Sequence, residues 1–234
     1  MNFLVTPDYT SITAAFMETS TSSKPELRQV FQQIDAQSCP NRYNFHMHTH
    51  YSDGQMTPEN LLTQAIKIGL EDMAITDHHS VEGYLQGKQW LAKQKTNLRL
   101  WIGTEITSYI DDVDIHILGF DFDHEAISLA PYLCGKEADR DFTPAPMVIE
   151  AIHQAGGLAV LAHPSRYKLP APEVVSAVVD GGIDGIEVYY AYRNTNPWLP
   201  TPGETEANKE MADRYGLLAT CGTDTHGTNL LVRI

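Results

Sequence analysis

Residues 157–191 read GLAVLAHPSRYKLPAPEVVSAVVDGGIDGIEVYYA. GLAVLAH is a short apolar run of strand character, APEVVSAVVDGG reads as a helix closed by glycines, and IDGIEVYY reads as a second strand. Two strands joined through a helix run parallel, because the helix returns the chain to the end from which it started. The same alternation extends in both directions. Downstream, ETEANKEMADRYG reads as a helix and LLATCG as a strand. Upstream, APMVIEAIHQAG is a helix, and LRLWIGTEITSYI and VDIHILGF form a hairpin around Asp111 and Asp112. Before that come the strand EDMAIT and the helix SVEGYLQGKQWLAKQ. TPENLLTQAIKIG carries Thr57 as N-cap, Pro58 at the first helical position and Gly69 as its stop. NFHMH is the first strand, and residues 121–144 are irregular. About seven strands with helices between them predict an α/β protein whose sheet closes, or nearly closes, into a barrel. Neither G-x-G-x-x-G nor a P-loop occurs, which argues against an open nucleotide-binding sheet.

Ahead of the barrel, Leu27, Val30, Phe31 and Ile34 mark one face of a helix, with Pro25 suited to its first turn. Residues 1–23, rich in Ser and Thr, read as a flexible arm. The expected organisation is an arm and helix over 1–40 and a barrel domain over 41–234. Eight residues follow His226, too few for a closing helix, so the helix at 25–37 is expected to dock on the outside of the barrel beside the first or last strand.

The chain has 234 residues, 42% of them apolar, which suits one sizeable domain. Its net charge of −14 disfavours long nucleic acid and anionic membrane, both bound mainly through Lys and Arg, but leaves room for a small phosphorylated substrate. Cys39, Cys134 and Cys221 form no C-x-x-C pair, so neither a disulfide framework nor a cysteine zinc site is expected. With no basic leader and no apolar run of about 18 residues, the expected location is cytoplasmic, without membrane contact.

The chemistry collects at strand ends, where barrel enzymes place their functional groups. The first strand ends His46-Met47-His48, an i, i+2 pair on one face. Asp53 follows in the next loop. The second strand ends Asp77-His78-His79, the third carries Glu105, the hairpin strand carries His116, GLAVLAH ends in His163, and the last strand ends Asp224-Thr225-His226. One such histidine is more often a hydrogen-bonded core residue than a ligand. Nine of these His, Asp and Glu side chains, all but Asp77 and His79, would collide electrostatically without a compensating cation, and this favours metal. All are N or O donors, which suits Mn²⁺, Fe²⁺ or Zn²⁺.

HMHTHYSDG, ITDHHSVEG, GTE, DIHILGF, AHPSRY and GTDTH resemble the successive motifs of the PHP (polymerase and histidinol phosphatase) family over residues 43–228. Within it, AHPSRYKLP and HILGF are most similar to the nucleoside 3′,5′-bisphosphate phosphatase (TrpH-like) branch. The resemblance implies a distorted (β/α)7 barrel and a metal-dependent phosphoesterase with two or three divalent ions. His46, His48, Glu105 and Asp224 would hold the first. Glu105 would bridge to a second held with His116 and His163, and Asp53, His78 and His226 would hold a third. Three carboxylates against three divalent ions leave a charge of about +3, a positive well for a phosphate. A metal-bridging hydroxide would attack phosphorus, with Glu105 and Asp224 as its essential supports. The leaving oxygen would take its proton from bound water or a nearby histidine. His79 is the residue considered for that role, against a plain supporting one. Arg166, after His163-Pro164, suits bidentate phosphate binding, against a surface salt bridge, and Arg193 offers a weaker version of the same. His50 and His124 read as exposed, and His153 as structural.

The expected substrate is therefore a nucleoside 3′,5′-bisphosphate or short oligonucleotide. The alternatives are a phosphatase of a non-nucleotide metabolite such as histidinol phosphate, or a non-catalytic metal-binding module. The segment Asp121 to Pro146 is shorter than the helical insertion of the related branch, which predicts a more open site.

Overall fold

The computed structural model describes residues 26–234; the expected arm at 1–23 and Pro25 lie outside them. Seven strands form one sheet in sequence order. They are β1 (Tyr43–Asn44), β2 (Asp72–Ile75), β3 (Arg99–Ile110), β4 (Val113–Phe120), β5 (Leu158–Leu161), β6 (Gly185–Tyr189) and β7 (Leu218–Cys221). All neighbours run parallel except β4, which is antiparallel to both β3 and β5. The β3–β4 turn is the expected one, with Asp111 in the left-handed region at φ 52°.

The sheet closes on itself. Phe45 N–H donates to the Cys221 carbonyl (2.9 Å), Asp224 N–H to His46 (2.8 Å) and His48 N–H to Thr225 (3.1 Å), joining the two edges of the sheet. Closure removes the unpaired strand edges and brings Asp224 beside the first strand. The result is the nearly closed seven-strand barrel expected from the sequence.

Helices α1 (Leu27–Phe31), α2 (Pro58–Ile68), α3 (Glu82–Leu91), α4 (Ala145–Gln154), α5 (Ala171–Asp180) and α6 (Pro202–Tyr215) accompany the strands. Their ends follow the sequence signals. Thr57 Oγ1 accepts from Asn60 N–H at 3.2 Å, and Gly69 turns left-handed at φ 91° to end α2. Residues 121–144 contain only two short 3-10 turns, Ile127–Leu129 and Arg140–Phe142.

The N-terminal helix packs beside the last strand, β7, as expected, but departs from expectation in length and in how far it reaches into the barrel. It stops at Phe31, after which Gln33 and Ile34 bond three residues back. The Asp35 carboxylate accepts from Gln37 N–H (2.9 Å) and Ser38 Oγ (2.8 Å), a local turn that competes with further helix. Leu27, Val30, Phe31 and Ile34 are all buried. The Phe31 ring stands edge-on to Phe45 at 4.9 Å and to Phe120 at 5.5 Å. Phe45 follows β1 and Phe120 ends β4, two strands that are not neighbours. A side chain touching both therefore reaches into the mouth of the barrel. Arg28 pairs with Asp184, just before β6, at 2.7 Å. The helix thus closes the end of the barrel opposite the strand-end histidines, rather than lying along its outer wall.

Candidate metal centre

At the carboxyl ends of the strands one cluster gathers all nine acidic and imidazole side chains named above. Glu105 lies at its middle, 1% exposed, and its two oxygens face different partners. Oε2 lies 3.0 Å from His46 Nε2, 3.1 Å from His48 Nε2 and 3.5 Å from His78 Nε2. Oε1 lies 2.7 Å from His116 Nδ1 and 3.3 Å from His163 Nε2. Asp224 Oδ1 is 3.5 Å from His46 and 3.3 Å from His48. Asp53 Oδ2 stands 3.1 Å from His226 Nε2 and 3.9 Å from His78 Nε2, and its Oδ1 is 3.6 Å from His48 Nδ1.

Three groups have ligand atoms within 4.8 Å of one another: His46, His48, Glu105 and Asp224; His78, Glu105 and His116; and His48, Asp53, His78 and His226. They overlap closely with the sequence-derived sets but not fully. His48 also faces the Asp53 group, and His78 joins Glu105 and His116.

The backbone is bent to make this possible. His163 (φ 28°) and Asp224 (φ 51°) adopt left-handed conformations that L side chains rarely take. Such strain concentrates where a side chain must be aimed.

Burial and charge set the protonation. Burial opposes charge on His46, yet Glu105, Glu187 and Asp224 together hold its pKa well above the ordinary value. For His48 burial again opposes, and Asp224 and Glu105 raise it to about 9. Burial and the neighbouring His48 and His116 draw His78 down to about 4, against the pull of Glu105 and Asp53. Burial works to raise Glu105 and Asp224, but the adjoining imidazoles hold both carboxyls well below the usual range. The cluster is thus a set of ionised carboxylates that requires positive charge among them.

A family model described as the PHP domain matches residues 44–221. The chain belongs to the PHP domain family. It is a metal-dependent phosphoesterase. The match ends just before Asp224 and His226, which the closed barrel brings back to the site. Among similar proteins, the 5′-3′ exoribonuclease Rnm of Salmonella typhimurium is 24% identical, over 79% of this chain and 85% of that protein. The phosphoribosyl 1,2-cyclic phosphate 1,2-diphosphodiesterase of Eggerthella lenta is 23% identical, over 79% and 94%. A crystal structure from Bifidobacterium adolescentis, assigned as a metal-dependent phosphoesterase, superposes with a TM-score of 0.67 at 24% identity, covering 81% of this chain and 89% of that one. An amidohydrolase from Chromobacterium violaceum gives 0.69 at 19% identity, covering 82% and 90%.

The donor set of this PHP domain fits divalent metal. His48 Nε2 is fully buried and within 3.3 Å of two carboxylates, yet its geometry makes no hydrogen bond to either. A nitrogen aimed at a shared point between carboxylates, rather than along a hydrogen bond, is the arrangement a metal ligand needs. With no thiolate in the set, Mn²⁺, Fe²⁺ and Zn²⁺ all suit it.

Several residues that sequence reasoning passed over support the ligands. Glu187, on β6 and fully buried, reaches His46 Nδ1 with both oxygens at 3.2 Å and accepts His163 N–H at 2.9 Å. It fixes which nitrogen of His46 faces the cluster. Tyr190 Oη donates to Asp224 Oδ2 at 2.6 Å, and Arg233 Nε donates to the same oxygen at 2.8 Å. Asp77 accepts from Thr49 N–H (2.6 Å) and from the Thr49 and Ser52 hydroxyls, holding the loop that presents Asp53.

The other sequence-derived residues divide. Arg166 is at the site: its Nη1 donates to Asp224 Oδ2 and to Tyr190 Oη, each at 2.9 Å. Arg193 lies exposed in the loop after β6, and is not among the residues lining the cavities beside the cluster. His79 is 2% exposed, and its Nε2 accepts Thr107 N–H at 3.2 Å. Its ring is directed at β3 rather than at Glu105 or Asp53. His50 and His124 are exposed, and His153 pairs with Asp184 at 2.8 Å on the far side of the barrel. The cysteines are free. Among the described residues no helix is long and apolar enough to cross a membrane.

Proposed function

We propose that this PHP domain hydrolyses a phosphate ester of a nucleotide, either a nucleoside 3′,5′-bisphosphate or the end of a short oligonucleotide. His46, His48, Asp53, His78, Glu105, His116, His163, Asp224 and His226 would hold two or three divalent ions, Mn²⁺, Fe²⁺ or Zn²⁺. The observation that carries the reading is Glu105, whose two oxygens face separate imidazole groups, with Arg166 opening onto the same cavity. Bound there, divalent ions supply Lewis-acid charge for the phosphoryl oxygens and bring the pKa of water towards neutrality.

The protein's own groups do the rest. Glu105 ties the imidazole groups into one unit at fixed spacing. Asp224 turns Oδ1 inward, while Tyr190 and the arginines hold Oδ2, so the carboxylate cannot rotate. Glu187 orients His46. Arg166 offers remaining N–H groups to a phosphate in the cavity. His79, committed to Thr107, has a positioning role on the wall. Arg193 retains only the reach of an exposed side chain. The names of the relatives, an exoribonuclease and a ribosyl cyclic phosphodiesterase, favour a nucleotide-like substrate over histidinol phosphate.

The test is turnover by the Mn²⁺-loaded protein on a nucleoside 3′,5′-bisphosphate, a short RNA, a ribosyl cyclic phosphate and histidinol phosphate. Highest kcat/KM on the bisphosphate or RNA supports the reading. Highest kcat/KM on histidinol phosphate overturns its nucleotide part.

A further inference from the structure

The segment after β7 folds back over one edge of the cluster. Leu230 is fully buried in the apolar cluster that contains Met47, Met56, Leu61 and Leu62. Gln64 of α2 grips the segment twice: its Nε2 donates to the Thr228 carbonyl and its Oε1 accepts Leu230 N–H, both at 2.9 Å. His226 N–H donates to the Arg233 carbonyl at 2.6 Å. Thus pinned, the segment delivers one long side chain, Arg233, into a cavity of about 260 Å³ that also meets Glu105, His116, His163, Arg166 and His226. Only 18% of the Arg233 side chain is exposed.

Two guanidinium groups converge here on a single carboxylate oxygen. Arg166 Nη1 and Arg233 Nε reach Asp224 Oδ2 at 2.9 and 2.8 Å. Tyr190 Oη already donates to that oxygen, and the other oxygen of Asp224 faces His46 and His48. Glu105 and Asp114 line the same cavity, so its carboxylates balance the guanidiniums, and what the two arginines offer a ligand is unused donors. Each guanidinium has five N–H donors, so neither is exhausted by its contact with Asp224. Two partly buried forks with donors to spare on one small cavity are suited to phosphate oxygens, and to a dianion with three free oxygens above a diester with two.

We infer that Arg233, with Arg166, forms a two-arginine subsite for a dianionic phosphoryl group, and that Arg233 sets the preference for esters bearing a terminal phosphate over diesters lacking one. The inference rests on the phosphoesterase reading above.

It is tested on the full-length, Mn²⁺-loaded protein as wild type, Arg233→Gln and Arg233→Lys. Three quantities are measured: the Kd of inorganic phosphate by calorimetry, kcat and KM on p-nitrophenyl phosphate and on bis(p-nitrophenyl) phosphate, and Tm. Arg233→Gln is expected to raise the phosphate Kd and the monoester KM about tenfold or more. It should change the diester KM much less, and any loss of kcat through its hold on Asp224 should fall on both esters alike. Arg233→Lys, which keeps the charge but not the fork, should recover part of the loss. An unchanged phosphate Kd in folded Arg233→Gln overturns the subsite, as does a fall in kcat with KM unchanged, which would make Arg233 only a support for Asp224. If Arg233→Gln does not fold, Arg233→Lys decides: a Kd raised about threefold supports the subsite, and an unchanged Kd overturns it. A wild type that binds phosphate through Arg233 but cleaves neither ester would end the phosphoesterase reading and leave the subsite standing. A wild type that cleaves both esters, with a phosphate Kd indifferent to Arg233, would do the reverse.

Discussion

Glu105 holds the site together because each of its oxygens serves a different set of imidazoles. Glu105→Gln keeps the shape and removes the charge, so turnover on any phosphate ester should fall about a hundredfold or more, with metal content falling alongside. Steady-state kinetics with metal analysis on the same sample checks this, and near-wild-type turnover would remove Glu105 from the mechanism. Glu187 is the corresponding test of support. Glu187→Gln should weaken metal binding by roughly 10–100-fold while the fold persists, measured by titration with a competing chelator. Arg166→Ala should raise KM about tenfold for a monophosphate and a bisphosphate alike and much less for a diester, which steady-state kinetics on the three substrates checks. That these nine side chains gather was legible in the sequence, because His46, His48, Asp224 and His226 form strand-end i, i+2 pairs and the PHP resemblance pointed to the other five. Glu187 had a signal too, one charge inside the otherwise apolar strand IEVYY. Arg233 had none. Its role depends on how Gln64 and Leu230, far apart in sequence, fold the segment back.

Among the elements, α1 shows what periodicity can and cannot tell. Leu27, Val30, Phe31 and Ile34 disclose an apolar face, and all four are buried, but a stripe does not name its destination. Its place in the barrel mouth follows from two aromatic partners on non-neighbouring strands, Phe45 and Phe120. Its short length follows from the competing turn at Asp35 and Ser38. Phe31→Ala should cost about 3–5 kcal/mol, through lost burial and the cavity left behind. For a chain of this size that is a Tm lower by roughly 10 °C. Because the helix and the metal cluster lie at opposite ends of the barrel, kcat of the folded fraction should stay near wild type. Thermal melts and active-site-normalised kinetics on one preparation check both halves. The β3–β4 hairpin was legible from two adjacent aspartates, and it explains how one antiparallel strand enters a mainly parallel barrel while His116 still faces Glu105.

For the whole molecule, closure of the barrel joins sequence to chemistry. The bonds from Phe45, His48 and Asp224 across the β1–β7 seam bring residues about 180 positions apart into one site. Strand counting predicted that closure, whereas the pairing of His48 with both the Asp53 and the Glu105 groups needed the folded geometry. The overall charge of −14 repels polyanions at long range, so a site that attracts phosphate must be locally positive. In the proposed reading, bound divalent ions would supply most of that charge, with Arg166 and Arg233 offering donors beside them. The most direct test of this account is turnover of a phosphate ester by chelator-stripped protein as Mn²⁺ is added back in measured equivalents. The account predicts negligible turnover without metal, rising to a plateau at two to three ions per chain. Full activity in the stripped protein, or no hydrolysis at any metal loading, would contradict it.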